Sequence, residues 1–210
     1  MTPEDFVRFL GEERASAILR TPHGDRAVPA MQAAARAGFR ALEFTLTVPR
    51  AFEAIAAMAE NPDVVVGAGT VLTVDEANEA VDAGARFLVS PVCDPKVIER
   101  ATELGVAILP GCSTPTEMLT AHRAGAPLVK LFPIPGIGPG FVRACLGPLP
   151  FLKIVPTSGV TGENVGEYLA AGAHAVGFVA PLFHPSDIES EQYEKIEERG
   201  RALLAAARGH

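Results

Sequence analysis

The sequence predicts an α/β protein: one (β/α)8 TIM barrel, a single domain over residues 1–210, with a short N-terminal helix. Three observations predict it. Short apolar runs recur about every 20 to 25 residues, Ala-rich amphipathic stretches separate them, and Gly marks the joints from helix to strand. The length suits one domain with a sizeable core, near the short end for this architecture.

The apolar runs start near Ala15, Phe39, Val64, Arg86, Val106, Pro127, Phe151 and Ala173. They are too short to be free-standing helices and rich in Val, Ile, Leu and Phe, as buried strands are. Stretches such as Asp75–Ala83 and Pro115–Ala124 carry the helical pattern between them. Gly38, Gly84, Gly105, Gly125 and Gly172 each stand between a helical pattern and the next strand. Only Gly takes the left-handed, helix-ending conformation without penalty, so these positions predict helix C-termini feeding short loops. Thr73 with Glu76, and Thr114 with Glu117, predict capped helix starts. A doubly wound sheet is the alternative arrangement of such units; eight regular repeats favour the barrel.

Composition limits the function classes. The net charge of −7 argues against nucleic acid or an anionic membrane as the main partner, while leaving room for a locally basic pocket. Cys93, Cys112 and Cys145 form no CxxC pair and read as reduced thiols of a cytoplasmic protein. The acidic N-terminus does not resemble a signal peptide, and no apolar run is long enough to span a bilayer. His23, His122, His174, His184 and His210 show no ligand-like pairing that would point to a metal.

In a barrel, chemistry gathers where strands end and loops begin. The unusual residues fall there: Arg20, Glu43, Gly67-Ala68-Gly69-Thr70, Ser90-Pro91, Gly111-Cys112, Lys130, Thr157-Ser158-Gly159 and Gly177. Alternation in Leu128-Val129-Lys130-Leu131-Phe132 sends Val129 and Leu131 to one face, Lys130 and Phe132 to the other. If the first pair packs on helices, Lys130 points inward, and a desolvated lysine supplies the free amine that Schiff-base chemistry needs. The alternative is a lysine snorkelling out of the barrel end. Lys153 is a rival, but it lies nearer the start of its strand and is expected to leave at the opposite end.

Glu43 shares a face with Ala41 and Thr45, opposite Leu42 and Phe44. A carboxylate buried there would have a raised pKa suited to proton transfer, unless it serves as a structural partner for an Arg. Arg20 closes an apolar strand, and its guanidinium suits either a substrate carboxylate or a rim ion pair. The Gly69-Thr70 turn offers backbone N–H groups and a hydroxyl. Cys112 reads as a small filler at a strand end.

Several strings occur together in a known order: Leu42-Glu43-Phe44-Thr45-Leu46, Val66-Gly67-Ala68-Gly69-Thr70-Val71, Val89-Ser90-Pro91, Pro110-Gly111-Cys112-Ser113-Thr114-Pro115, Val129-Lys130-Leu131-Phe132-Pro133 and Pro156-Thr157-Ser158-Gly159-Val160. On these the chain resembles the 2-dehydro-3-deoxy-phosphogluconate / 4-hydroxy-2-oxoglutarate aldolases, from about Ile18 to Leu182. The resemblance implies a class I carbon–carbon lyase of the phosphogluconate-splitting (Entner-Doudoroff) pathway. It would release pyruvate and glyceraldehyde 3-phosphate or glyoxylate. It further implies Lys130 as the imine lysine, Glu43 as the proton carrier, and Thr70, Gly69 and Arg20 at the pyruvate carboxylate. Pro91 and Phe132 would wall the pocket, with Thr157, Ser158, Gly159 and Gly177 toward the rest of the substrate. A homotrimer with no metal or organic cofactor is also implied.

The chain departs from the family pattern in three places. Thr47 stands where some relatives carry Arg, so Arg20 would supply the positive charge alone. Gly177-Phe178-Val179-Ala180 replaces a Gly-x-Gly-Ser-type turn that helps to hold phosphate in relatives, and Ser158 stands where Gly is usual. A phosphate-binding barrel isomerase or epimerase, a metal-dependent pyruvate aldolase and a non-catalytic binding barrel are the competing readings. The first would need a Gly-rich eighth turn, which this chain lacks.

Overall fold

The computed structural model describes residues 1–209; His210, one of the five histidines considered above, lies outside them. The chain opens with α1 (Pro3–Glu13), then alternates strands and helices. These are β1 (Ala15–Leu19), α2 (Gly24–Ala37), β2 (Ala41–Thr45), α3 (Ala51–Ala59), β3 (Val65–Gly69), α4 (Val74–Asp82), β4 (Phe87–Val89) and α5 (Pro95–Glu103). Then come β5 (Ala107–Leu109), β6 (Gly111–Cys112), α6 (Pro115–Arg123), β7 (Val129–Leu131), α7 (Pro139–Leu146), β8 (Ile154–Pro156), α8 (Val165–Ala170) and β9 (Val176–Phe178). Helices α9 (Pro185–Glu189) and α10 (Tyr193–Arg208) end it. Each predicted apolar run contains a strand, and the fifth is divided in two by Pro110.

The strands form a curled parallel sheet of six, ordered β5-β4-β3-β2-β1-β9, and a parallel sheet of three, ordered β6-β7-β8. The two sheets touch on both sides. On one, only Pro110 separates β5 from β6, and its carbonyl accepts the Lys130 N–H at 2.9 Å. On the other, His174 N–H donates to the Ile154 carbonyl at 2.9 Å, and Thr157 pairs with Gly177 as an isolated parallel bridge.

Local signals act as read. Gly38, Gly84, Gly105, Gly125 and Gly172 all have positive φ where a helix gives way to a strand. Thr73 with Glu76 and Thr114 with Glu117 form reciprocal capping boxes on α4 and α6. Thr2 with Asp5 does the same for α1, with Pro3 at the first helical position.

Alternation along the strands builds two apolar clusters. Leu42, Phe44, Leu88, Ile108, Val129, Leu131 and Ile154 pack outward with the helices. Ala41, Phe87, Val89, Ala107, Leu109, Leu128, Val155 and Ala175 form an inner cluster with Phe6 and Leu10 of α1. Helix α1 thus lies across the end where the strands start, and Phe6 stacks on Phe87 with ring centroids 4.5 Å apart. Gly67 makes room for that ring, because a Cβ there would come within 2.5 Å of it. With α1 covering one end, polar inward-facing residues collect at the other. No helix among the described residues is long and apolar enough to cross a membrane.

Candidate active site

Strand β7 holds Lys130 between Val129 and Leu131, both packed outward, so the pleat turns Lys130 to the inner face where it is 6% exposed. Its backbone is pinned from both sides by register with Gly111 of β6 and Val155 of β8. The ammonium lies 5.1 Å from the centroid of the Phe132 ring. Burial pushes the Lys130 pKa below its usual value and Arg20 pushes the same way, against the attraction of Glu43.

Glu43, in the middle of β2, is 2% exposed, and its Oε1 has no hydrogen-bond partner. Burial pushes its pKa up, opposed by Lys130 and then Arg20. An acceptor left unpaired in a dry interior is costly. No carboxylate–arginine ion pair is made by Glu43 among the described residues.

Arg20 follows β1 and is exposed, with its guanidinium 3.4 Å from the Thr70 hydroxyl. The rim ion pair considered for it is absent among the described residues. Thr70 has φ of 63°, a left-handed conformation unusual for a β-branched residue and a local cost met at functional turns. Ser158, at the end of β8, has φ of 74°, and Gly159 follows at 78°. Asn164 steadies that turn, donating to the Gly159 carbonyl at 2.9 Å and accepting the Thr161 N–H at 2.8 Å.

Two cavities share Arg20 and Phe132. One, of about 440 Å³, is lined also by Thr21, Pro22, Thr47, Thr70 and Pro91. The other, of about 130 Å³, reaches Lys130 and is closed by Ile18, Thr157, Ser158, Gly159, Val160, Val179, Ala180 and Pro181. Thus Arg20, Thr70, Pro91, Phe132, Lys130, Thr157, Ser158 and Gly159 meet at one mouth. Glu43 lines neither cavity; it lies beneath, beside Lys130 and against Gly69, the residue whose missing side chain gives it room. Gly177 works in the same way, since a Cβ there would stand 2.7 Å from the Thr157 hydroxyl.

Reasoning from sequence missed Ile18, Val160 and Pro181 as lining residues, along with Thr21 and Pro22. For Ile18 the signal was available, because it alternates with outward Ala17 and Leu19 on β1. The others sit on loops, where no periodicity operates. Lys153 lies at the far end: it influences His174, whose ring is hydrogen-bonded at 2.8 Å to the Val7 carbonyl of α1. Cys112 is buried among outward-facing apolar side chains with its thiol pushed up by burial. Among the described residues no group of three His, Cys, Asp or Glu is placed to hold a metal ion.

A buried amine with a lowered pKa beside a carboxyl with a raised one provides a nucleophile and a proton carrier in the same dry volume. Such a pair can add to a carbonyl carbon and move protons on the adduct.

The chain is similar to known proteins along most of its length. The family model described as "KDPG and KHG aldolase" matches residues 8–199. The chain is 32% identical over 195 residues to 2-dehydro-3-deoxy-6-phosphogalactonate aldolase of Escherichia coli K12, covering 91% of this chain and 93% of that one. It is 40% identical over 163 residues to 2-dehydro-3-deoxy-phosphogluconate aldolase of Treponema pallidum, covering 77% and 78%. It is also similar to the crystal structure of KDPG aldolase from Legionella pneumophila with pyruvate captured at low pH as a covalent carbinolamine intermediate. There the TM-score is 0.85 at 26% identity, over 94% of this chain and 97% of that one.

Proposed function

The chain belongs to the KDPG and KHG aldolase family, and from that premise we propose that it is a class I aldolase whose Schiff base forms on Lys130. Its substrates are 2-dehydro-3-deoxy-6-phosphogluconate, 4-hydroxy-2-oxoglutarate or both, split to pyruvate and glyceraldehyde 3-phosphate or glyoxylate. The observation that carries the assignment is Lys130 itself, buried, lowered in pKa and facing Glu43.

In the proposed sequence the neutral Lys130 amine attacks the C2 carbonyl, and the carbinolamine loses water to give a protonated imine. Glu43 takes the proton of the C4 hydroxyl. The C3–C4 bond breaks, its electrons pass to the imine nitrogen, and the aldehyde departs from an enamine. The proton returns to C3, and water hydrolyses the imine to free pyruvate and Lys130. Arg20 and Thr70, with the backbone of Gly69, hold the carboxylate, while Pro91 and Phe132 wall the site. Thr157, Ser158, Gly159 and Gly177 face the remainder of the substrate.

The same reading extends to the architecture. The contacts across Pro110 and between Thr157 and Gly177 support a closed (β/α)8 barrel, and the outer and inner apolar clusters together support a single domain among the described residues. The family resemblance points to a homotrimer, and light scattering at micromolar concentration should report a trimer mass; a monomer mass would refute it. A cytoplasmic location fits the thiols and the substrates.

The decisive experiment is borohydride reduction in the presence of pyruvate. One pyruvate-derived mass should appear on the peptide that contains Lys130. Its appearance on Lys153 would overturn the assignment.

A further inference from the structure

The turn that follows β8 is held in place in an unusual way. Ser158 and Gly159 line the small cavity together with Lys130, and both have left-handed backbones, with φ of 74° and 78°. For Ser158, which carries a Cβ, that conformation has a steric cost. Side-chain packing does not enforce it. Both residues are exposed, and a Cβ on Gly159 would meet nothing within 4 Å.

The restraint comes from the next helix. Asn164 stands at the start of α8, where an Asn ordinarily accepts an N–H from its own helix's first turn, yet its side chain makes no such cap. Its carboxamide turns back instead. Nδ2 donates to the Gly159 carbonyl at 2.9 Å and Oδ1 accepts the Thr161 N–H at 2.8 Å, so one planar group bridges both sides of buried Val160. These partners fix the orientation of the amide, because a carbonyl only accepts and an N–H only donates. Asn164 is itself anchored, its carbonyl accepting the Glu167 and Tyr168 N–H groups at 3.1 and 3.2 Å. It lines neither cavity at the mouth of the site, so whatever it contributes to the reaction passes through the turn.

We infer that Asn164 is a positioning residue for the aldehyde half of the substrate. By clamping Gly159 to Thr161 it holds Ser158 and Gly159 in their left-handed conformation and keeps the polar groups of that turn at the cavity beside Lys130. The inference rests on the aldolase reading, and deepens it with a residue outside the set that touches substrate.

The test runs the reaction as aldol addition of pyruvate to glyceraldehyde 3-phosphate. Asn164→Ala is measured twice, once beside Ser158 and once in a Ser158→Gly background. Beside Ser158, KM for the aldehyde should rise about tenfold or more, the scale of losing a hydrogen bond to a charged group. KM for pyruvate, kcat and the rate of borohydride trapping on Lys130 should change little. In the Ser158→Gly background the same substitution should raise the aldehyde KM by less than about threefold, because glycine takes the left-handed conformation without the steric cost that the clamp offsets. Equal rises in the two backgrounds overturn the inference, since Asn164 would then not be holding the conformation of residue 158. An unchanged aldehyde KM overturns it as well, and so does a fall in kcat and pyruvate trapping alongside the rise, which would mark a general support of the fold. Loss of the aldolase reading itself has a different signature: the wild-type protein would trap no pyruvate on Lys130 and add to no aldehyde.

Discussion

Glu43 occupies the space that a side chain on Gly69 would need. A Cβ at residue 69 would stand 1.9 Å from Glu43 Oε1 and 2.7 Å from its Cδ. The two residues belong to neighbouring strands, in which Thr45 of β2 is in register with Gly69 of β3. The glycine therefore sets where the carboxyl lies relative to Lys130.

Gly69→Ala is expected to displace the Glu43 carboxyl while the protein folds and binds pyruvate. With the proton carrier misplaced, kcat should fall about tenfold or more, within the range that general acid–base catalysis contributes. Borohydride trapping on Lys130 should persist. Steady-state kinetics beside trapping yield checks both parts; unchanged kcat would mean that the carboxyl position is not set by this contact.

The two charges near Lys130 act on it in opposite directions, and so should their removal. Attack on a carbonyl needs the neutral amine, so imine formation weakens as pH falls through the Lys130 pKa. Glu43 favours the ammonium form. Glu43→Gln should lower that pKa and move the acid limb of pyruvate trapping to lower pH, while kcat drops by about 10²-fold. Arg20 disfavours the ammonium form. Arg20→Gln should move the same limb to higher pH and raise KM for pyruvate in the addition direction. The KM rise should be about 10-fold or more, as for loss of a hydrogen bond to a charged group worth roughly 1.5–3 kcal/mol. Trapping rate against pH for the three proteins decides it, and shifts of the same sign in both variants would contradict the arrangement.

Phe6→Ala should destabilise the fold by about 3–5 kcal/mol, as large cavities in packed interiors do. The ring is fully buried on Phe87 in the inner cluster. Denaturant unfolding should show a lower midpoint with unchanged slope. Because α1 covers the end opposite Lys130, the folded fraction should still form the trapped adduct.

How much was legible in the sequence depended on the range over which each feature is set. The direction of Lys130 follows from the pleat and from Val129 and Leu131 on either side, all within one strand. The five glycines that end helices were legible for the same reason, since the left-handed conformation is a property of the single residue. The break at Pro110 was less so: Pro removes one ladder donor, but whether the strand resumes beyond it depends on the neighbour that pairs.

The sequence by itself determined the repeating units, the inward turn of Lys130 and Glu43, and the strand ends where polar residues gather. These are consequences of backbone sterics and period-two alternation, which act over a few residues. The tertiary structure alone decided that a carboxyl from β2 would sit under an amine from β7, in a space left by Gly69. It also decided that α1 would cover the far end and that Val179 and Ala180 would face Ser158 and Gly159 across one small cavity. Those relationships join residues far apart in the chain, and only the curling and packing of the sheets bring them within reach of one another.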